Sequence, residues 1–288
     1  MANAGLTQKK QENGRIRCLV CPHHCDLGDG QYGRCRARKQ EQGRIVSANY
    51  GRITSIMLDP IEKKPLRRFY PGSMILSVGT FGCNLACPFC QNHEISMAGP
   101  ADVPYRSVAP AQLAALAEAY ATHGNIGIAF TYNEPLVGYE FVRDTARLIH
   151  ERGMKNVMVT NGFAEPAVLE ELLPYIDAMN IDLKGFTAAY YQKLGGNLDT
   201  VKQFIARAAQ DCHVEVTTLI VPGENDGDDE MEEEAKWIAS LDPSISLHVT
   251  RFFPQYHLTD REATKVETVY RLRDIAGAYL PYVYTGNC

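Results

Sequence analysis

The stretch Ser77-Val-Gly-Thr-Phe-Gly-Cys83-Asn-Leu-Ala-Cys87-Pro-Phe-Cys90-Gln-Asn92 places three cysteines close together directly after an apolar run. Cysteine thiolates are the usual ligands of iron-sulfur clusters, and four-iron clusters that only transfer electrons take four of them. This stretch supplies three, and the next cysteine in the chain is Cys212. One iron of a cluster bound here would stay open to a small molecule. The alternative is a zinc knuckle completed by His93, although zinc ligands seldom follow this spacing.

The pattern Cys-x3-Cys-x2-Cys, with the aromatic Phe89 just before its last cysteine, resembles the cluster loop of the radical S-adenosylmethionine superfamily. The resemblance implies a [4Fe-4S] cluster held by Cys83, Cys87 and Cys90. It also implies S-adenosylmethionine at the open iron and Phe89 among the residues that contact the cofactor. The chemistry it implies is reductive cleavage to a 5'-deoxyadenosyl radical, which abstracts hydrogen from a substrate.

Composition excludes several classes of partner. A net charge of -5 and a pI of about 5.9 provide no electrostatic footprint for nucleic acid. No run approaches about 18 consecutive apolar residues, and residues 1–14 lack the apolar core of a signal peptide. We therefore predict a cytoplasmic protein without a membrane partner. Seven of the nine cysteines fall into two groups, which favours reduced thiols that bind metals over a secreted disulfide framework.

The second group of cysteines predicts a small metal module over residues 1–45, after a frayed tail that reaches Glu12. Its members are Cys18, Cys21, Cys25 and Cys35. Four thiols on short, glycine-rich loops are typical of a closed tetrahedral site. Thiolate ligands suit both zinc and a second iron-sulfur cluster, so the metal stays open, as does the alternative of four unrelated core cysteines. His23 and His24 are competing ligands that we interpret as surface or supporting residues.

Residues 46–72 are predicted to connect this module to the main domain. A strand is expected over 43–50, and a charged segment with several prolines follows over 59–72. Prolines remove hydrogen-bond donors and charges need solvent or partners, so this segment is not an ordinary buried strand. It is either a solvated linker or a segment that holds an anionic group over the cluster. The second alternative would use Lys63, Lys64, Arg67 and Arg68.

Apolar runs alternate with helical patterns over residues 73–288. The runs cover 74–81, 126–132, 156–160, 178–183, 214–221 and 247–253, and the helical patterns cover 109–122, 138–152, 166–173, 199–210, 229–240 and 264–280. This alternation predicts an α/β protein with a parallel sheet covered on both faces. Six units are too few for an eight-unit barrel, and the superfamily resemblance implies a partial six-unit parallel (βα)6 barrel. The acidic run 226–234 is interpreted as the start of a helix.

Polar residues follow the predicted strands, where functional groups of parallel barrels gather. The segment Ala129-Phe-Thr-Tyr-Asn-Glu-Pro135 resembles the Gly-Gly-Glu-Pro segment with which the superfamily meets the amino group of S-adenosylmethionine. Glu134 matches the acid, while Tyr132 and Asn133 stand where the two glycines would be. The resemblance implies that Asn133 and Glu134 both contact the cofactor. An acid that simply initiates a helix before Pro135 is the alternative reading of Glu134.

Two further segments resemble those of the glycyl-radical-enzyme activases, the branch that includes the pyruvate formate-lyase activating enzyme. They are Thr160-Asn161-Gly162 and Asp182-Leu183-Lys184, and the resemblance implies contacts with the carboxylate end of S-adenosylmethionine. Asp182 and Lys184 are two residues apart on a strand, so both can face one ligand, although a simple ion pair is the alternative. The loop that ends in Tyr256-His257 resembles the one that lines the nucleoside pocket of the activases.

The N-terminal cysteines, with Asp59-Pro-Ile-Glu-Lys-Lys-Pro65 and Thr131-Tyr-Asn-Glu-Pro135, resemble the subgroup labelled AmmeMemoRadiSam-system radical enzymes. Members of that subgroup usually continue with another cysteine pair, so this chain, which ends at Cys288, lacks the pair or has been cut.

The activase resemblance implies a glycyl radical enzyme or other protein as substrate and a flavodoxin- or ferredoxin-type electron donor. A small-molecule or peptide substrate is the alternative among enzymes. A non-catalytic iron-sulfur electron-transfer or scaffold protein is the alternative of another class.

Overall fold

The structure, a computed structural model, describes residues 7–288, and its N-terminal part is made of short strands. Strands β1 (Gln8–Lys10), β2 (Ile16–Cys18) and β3 (Asp26–Leu27) form an antiparallel sheet. Strands β4 (Arg38–Glu41) and β5 (Arg44–Ser47) pair with each other, and β6 (Arg52–Ile53) pairs with β9 (Arg106–Ser107). The prediction of a frayed tail up to Glu12 is wrong for β1, because its backbone groups pair with β2. Residues 1–6 of that tail lie outside the described residues.

An eight-stranded sheet forms the centre of the molecule, in the order β15-β14-β13-β12-β11-β10-β8-β7. Its strands are β7 (Ser55–Pro60), β8 (Met74–Gly79), β10 (Asn125–Phe130), β11 (Lys155–Thr160), β12 (Ala178–Asp182), β13 (His213–Ile220), β14 (Ser246–Arg251) and β15 (Val283–Gly286). All neighbours pair in parallel except β7, which is antiparallel to β8 at one edge. The predicted α/β class with a mostly parallel sheet is confirmed. The sheet extends beyond the six predicted strands by β7 and β15, and the six-unit barrel stays a prediction.

The helices lie between the strands as the alternation predicts. They are α1 (His93–Ser96), α2 (Pro110–Ala119), α3 (Tyr139–His150), α4 (Pro166–Leu172), α5 (Ala188–Lys193), α6 (Leu198–Ala208), α7 (Asp228–Leu241) and α8 (Val266–Gly277). Local signals start several of them: Pro110 occupies the first turn of α2, and the Asn197 side chain accepts a hydrogen bond from the Thr200 amide at 2.9 Å. The acidic run of 226–234 does begin a helix, α7, whose positive dipole end favours these carboxylates.

The two faces of the sheet are buried in different ways. One face packs against the helices in a single large apolar cluster that includes Ile128, Met158 and Val216. The other face, which we call the inner face, is covered near the strand starts by the connector, residues 46–72. Connector residues Ile61 and Leu66 form a second apolar cluster with Ile75, Ala129, Val157 and Ala178 of the inner face.

The connector is therefore not a solvated linker. Its prolines do not prevent burial, because the carbonyl of Pro65 accepts a hydrogen bond from Asn180 Nδ2 at 2.9 Å. Part of it, β7, belongs to the central sheet, and Pro60 ends that strand at the sheet edge, where a missing donor is tolerated. The division into 1–45, 46–72 and 73–288 stays a prediction.

Candidate active site

A cavity of about 610 Å³ lies at the carboxyl ends of the parallel strands. Loops after β8, β10 and β11, residues of β12 to β15, and the connector line it. Ten residues predicted from the sequence share this lining: Cys83, Cys87, Phe89, Cys90, Asn133, Glu134, Thr160, Asn161, Asp182 and Lys184. The folding of distant segments thus brings the predicted cysteines and most predicted cofactor contacts to one site.

The loop that carries Cys83, Cys87 and Cys90 is held by hydrogen bonds to three other parts of the chain. The Ala86 amide donates to the Leu194 carbonyl at 2.8 Å, and the Pro88 carbonyl accepts from the His257 amide at 2.8 Å. The buried Asn84 side chain donates to the Phe163 carbonyl at 2.6 Å. None of these three bonds involves a cysteine sulfur, so the three thiols stay available to bind a metal cluster.

The donor set of this loop, three cysteine thiols on one cavity, fits an iron-sulfur cluster. Burial raises the pKa of Cys83 well above its ordinary value and that of Cys87 to about 11, so a metal has to displace the thiol protons. Cys83 Sγ accepts weak hydrogen bonds from the Leu85 amide at 3.4 Å and Asn161 Nδ2 at 3.6 Å, as metal-bound thiolates do.

The zinc knuckle completed by His93 does not match the structure. His93 hydrogen-bonds through Nδ1 to the Cys90 carbonyl at 3.2 Å and stacks on Tyr256 with ring centroids 4.4 Å apart. Its ring is therefore engaged away from the cavity, whose lining does not include it. In residues 7–288, no group of three or more His, Cys, Asp or Glu side chains is arranged to hold a single metal ion.

Glu134 is a buried carboxylate with a complete set of donors. Thr160 Oγ1 donates to it at 2.6 Å, the Asn161 amide at 2.8 Å and the Leu136 amide at 3.0 Å. Burial raises the pKa of Glu134 to about 7, although these three donors act to lower it. The side chain is thus fixed in direction on the cavity wall, and a cationic group beside it would favour its ionised form. It also accepts from the first turn after Pro135, so the helix-initiating reading is correct as well.

Asp182 and Lys184 face the cavity together, as their spacing on an extended segment predicts. Lys184 Nζ lies 2.7 Å from Asp182 Oδ2. Burial lowers the pKa of Lys184, but Asp182 and Cys87 raise it more, so its pKa stands above the ordinary value. The structure therefore contains the simple ion pair of the alternative interpretation, on the wall of the same cavity as the cysteines.

Asn133 acts as a brace for the cysteine loop. Its Oδ1 accepts from the Thr80 amide at 2.9 Å, and its Nδ2 donates to the Gly82 carbonyl at 3.0 Å. Because both ends of the amide are used, the predicted contact of this side chain with the cofactor is not supported. The preceding residue, Tyr132, adopts a left-handed backbone with φ 71°, a conformation typical of glycine. A residue other than glycine thus takes a glycine-like backbone conformation at one of the two positions where the resembling segment has glycine.

His257 does not line the cavity as the structure describes it, and the prediction that it contacts the nucleoside or substrate stays a prediction. Its backbone amide bonds to Pro88, and its ring lies 3.7 Å from that of Tyr256. This segment instead supports the cysteine loop from outside. Phe89 does line the cavity, buried edge-on against Phe252 with ring centroids 6.4 Å apart.

The connector supplies one wall of the cavity. Lys63, Lys64 and Arg67 line it, but Arg68 does not: its guanidinium bonds the Ser244 carbonyl at 2.7 Å and lies over the Tyr282 ring. Lys64 is buried and pairs with Asp59 at 2.9 Å. Asp59 Oδ2 also accepts from the Tyr132 hydroxyl at 2.8 Å. Three of the four basic residues predicted to lie over the cluster therefore line the same cavity as the three cysteines.

Two residues that the sequence did not single out belong to this site. His248 of β14 lines the cavity and hydrogen-bonds through Nε2 to Glu215 of β13 at 2.6 Å. Both occupy inward positions of their strands, in apolar runs where a charged or polar residue is uncommon. A polar residue within an apolar strand was therefore the feature of the sequence that could have identified His248 and Glu215.

The four N-terminal cysteines line a second, much smaller cavity. Burial raises the pKa of Cys18 to about 11 and that of Cys21 to about 12. This part of the chain abuts the first site, because His23 Nε2 lies 2.8 Å from the Asn84 carbonyl. A Cβ at Gly82 would come within 2.5 Å of the Cys35 carbonyl, so the two segments meet without room for a side chain. His24 bonds Glu165 at 2.8 Å, as expected of a supporting residue.

The chain is similar in sequence to several known proteins. Residues 77–238 match the sequence profile of the Radical SAM superfamily. The chain is 39% identical to an uncharacterized protein of Methanocaldococcus jannaschii over 282 residues, which covers 97% of this chain and 83% of the relative. It is 24% identical to the pyruvate formate-lyase 1-activating enzyme of Escherichia coli K12 over 214 residues, 69% of this chain and 86% of the relative.

Among solved structures, a radical SAM methyltransferase from Sphaerobacter thermophilus has a similar fold. The TM-score is 0.59 at 19% sequence identity, over 75% of this chain and 67% of that one. None of the helices within residues 7–288 is both long and apolar enough to span a membrane.

Proposed function

Since this chain belongs to the radical S-adenosylmethionine superfamily, we propose that it is an enzyme that abstracts hydrogen with the help of a [4Fe-4S] cluster and S-adenosylmethionine. When bound and reduced, the cluster supplies the electron that cleaves S-adenosylmethionine to methionine and the 5'-deoxyadenosyl radical, which removes a hydrogen atom from the substrate. The observation that carries the proposal is the convergence of three uncommitted thiols and the Glu134 carboxylate on one cavity.

The roles of the chain's own residues follow from their surroundings. Cys83, Cys87 and Cys90 would hold the cluster, and the hydrogen-bonded loop would keep their thiols on one side of the cavity. Glu134 would receive the amino group of S-adenosylmethionine, and its donors Thr160 and Asn161 would fix the direction of its carboxylate.

Asp182 and Lys184 would bind the carboxylate end of S-adenosylmethionine. Because they already pair with each other, the ligand would insert beside an existing ion pair, and Lys184 would supply the positive charge. Phe89 would exclude water on the cluster side, since it is almost fully buried at the cavity wall.

The N-terminal cysteines would bind zinc or a second iron-sulfur cluster, because four thiols meet at one small cavity. In the arrangement described, the thiols would have to close around a metal. We further propose that the central sheet curves as a partial six-unit barrel around the active site.

We propose a glycyl radical enzyme as the substrate, which is supported by the relatives named as activating enzymes, one of them a putative glycyl-radical enzyme activating enzyme of Methanocaldococcus jannaschii. A flavodoxin- or ferredoxin-type protein as the electron donor is likewise a proposal. A small molecule or peptide is the second candidate. The observation that favours it is the basic connector wall, in which Lys63 and Arg67 border the cavity. A non-catalytic electron-transfer or scaffold protein would need a fourth cluster ligand, and in residues 7–288 no further cysteine lines this cavity.

The test is anaerobic reconstitution with iron and sulfide, followed by a strong reductant and S-adenosylmethionine. We expect 5'-deoxyadenosine and methionine from the wild type and neither above background from Cys87→Ala, because the variant removes a cluster ligand. Cys212→Ala is the matched control, since this thiol bonds the Ala208 carbonyl outside the cavity, and it should retain full product. Equal product from Cys87→Ala would refute the assignment.

A further inference from the structure

The wall formed by β13 and β14 carries polar side chains on the inner face. Side chains alternate along each strand, so Thr217 and Leu219 of β13 and His248 and Thr250 of β14 line the cavity. None of these residues belongs to the set proposed to hold the cluster or S-adenosylmethionine. These side chains therefore face the cavity without a role assigned so far.

Glu215 organises that wall from behind. It is 0% exposed and accepts hydrogen bonds from His248 Nε2 at 2.6 Å and His213 Nε2 at 2.9 Å. It also accepts from the backbone amides of Arg67 at 3.1 Å and Arg68 at 2.8 Å. Burial raises the pKa of Glu215, but these four donors lower it to about 2, so the group is a carboxylate.

An ionised, fully satisfied Glu215 fixes the orientation of the His248 ring. Nε2 has to carry the proton, because its partner can only accept. In residues 7–288 no group hydrogen-bonds to Nδ1, the other ring nitrogen, and His248 is 4% exposed at the cavity. The buried acid thus leaves Nδ1 for a ligand, and Nδ1 can donate to a carboxylate only when the ring carries a second proton, whose charge the Glu215 carboxylate would balance.

Arg67 is anchored to the same carboxylate through its backbone, and its side chain lines the same cavity. Within the described residues, no acidic side chain forms an ion pair with its guanidinium. The other cations of the cavity differ: Lys64 and Lys63 approach Asp59 at 2.9 Å and 3.6 Å, and Lys184 is paired with Asp182. Arg67 is therefore the cation that a ligand can engage without breaking a pair.

We propose that Arg67 and His248 form a subsite for a carboxylate group of the substrate, with Glu215 as the positioning residue of both. Guanidinium groups match planar carboxylates with two parallel hydrogen bonds. The cavity also contains the carboxylates of Glu62, Glu134 and Asp182, which favours a singly charged group over a phosphate. The identification of this ligand as the substrate rests on the proposed function, whereas the binding itself does not.

The test is an anaerobic calorimetric titration of the reconstituted enzyme, saturated with S-adenosylmethionine and without reductant. The titrants are 3-phenylpropionate, its neutral isostere 3-phenylpropionamide, a blocked glutamyl-glycine peptide and inorganic phosphate. The first and third carry the carboxylate on a small molecule and on a peptide, so they distinguish the two sources. We expect a carboxylate to bind at least tenfold more tightly than the amide.

Arg67→Ala should weaken carboxylate binding about tenfold to hundredfold, since it removes charge-assisted hydrogen bonds. Arg68→Ala is the matched control: it keeps its backbone bond to Glu215 but has its side chain outside the cavity, and it should bind like the wild type. Glu215→Gln should reduce the preference for the carboxylate over the amide while affinity for S-adenosylmethionine stays unchanged. A purely structural defect would weaken both titrants equally.

Equal affinity of wild type and Arg67→Ala, equal affinity for acid and amide, or tighter binding of phosphate would overturn the subsite. Because no reductant is present, these results are independent of cleavage. A protein that binds the carboxylate but forms no 5'-deoxyadenosine would contradict the proposed function and leave the subsite in place.

Discussion

Two buried glutamates, Glu134 and Glu234, carry a raised pKa for the same physical reason but lie in different surroundings. Burial raises the pKa of Glu134 to about 7 and that of Glu234 to about 8. Glu134 has three donors and lines the cavity, where a cationic ligand can restore its charge. Within residues 7–288, the Glu234 side chain of α7 accepts a hydrogen bond only from Thr218 Oγ1 at 2.5 Å, and it does not line the active-site cavity. We therefore interpret Glu134 as a binding residue and Glu234 as a structural residue.

Glu234 makes stability depend on pH. Its pKa in the folded chain, about 8, is above the ordinary value of 4.5, so the folded state keeps a proton that the unfolded state releases. Stability should therefore decrease as pH rises through this window, by about 1.4 kcal/mol per pH unit. We expect Glu234→Gln to reduce the slope measured in urea unfolding between pH 5 and pH 8 by this amount, while Glu134 keeps its own contribution up to about pH 7. The exposed neighbour Glu233→Gln should keep the slope of the wild type, and equal slopes in all three proteins would contradict the prediction.

At the scale of single residues, the sequence predicts site residues that belong to a motif, and it misses residues whose role depends on contacts between distant segments. The three cysteines and Glu134 are recognisable because their chemistry fixes both residue type and spacing. Asn133 and His257 also fall within motifs, yet one is used to brace a loop and the other lies behind it. Glu215 has no local motif, since its four donors come from three segments that only the fold brings together.

At the scale of elements, Arg38 of β4 joins the N-terminal strands to α3. Its guanidinium is 2% exposed and donates two hydrogen bonds to Glu140, at 2.6 Å and 2.8 Å. Arg17 of β2 forms a similar pair with Asp26 at 2.9 Å, but on the surface. The two pairs have the same chemistry and differ in burial, so they provide a matched comparison.

Arg38→Ala should lower the free energy of unfolding by about 3 to 5 kcal/mol, because it leaves a carboxylate without its buried partner. Arg17→Ala should have no measurable effect, since solvent screens the exposed pair. Chemical denaturation of the two variants beside the wild type measures both. A comparable small loss in each would show that the Arg38 pair does not hold the N-terminal strands to α3.

The elements that the sequence predicts are those with a clear period. Six strands and six helices of the central domain follow from alternating apolar runs and helical patterns. Helices α1 and α5 have four and six residues, too short for a helical period to be visible. Strand β7 was missed because it ends in Asp59 and Pro60, and its position at the sheet edge tolerates both.

At the scale of the whole molecule, the two cysteine groups should bind separate metals. We expect Cys18, Cys21, Cys25 and Cys35, changed together to serine, to lose zinc while the iron and sulfide of the other group remain. An anaerobic count of iron, sulfide and zinc measures this. Serine at both Cys212 and Cys288 is the control, since neither lines a cysteine cavity. A fall of iron by about half would indicate a second cluster instead, and unchanged metal would contradict a site there.

The overall architecture follows from the sequence because alternating strands and helices permit few arrangements. The path of the connector does not, since its charges and prolines are typical of an exposed segment. It becomes part of the interior because Asp59 pairs with Lys64, and Ile61 and Leu66 cover the inner face of the sheet. Long-range pairing of this kind has no signature in a local window of sequence.

The contact at Gly82 fixes the spacing between the two cysteine groups. A side chain at this position would collide with the carbonyl of Cys35, which would lie 2.5 Å from its Cβ. Any larger residue at position 82 would therefore have to push the N-terminal cysteines and the loop of Cys83 apart, even though each group is expected to bind its own metal.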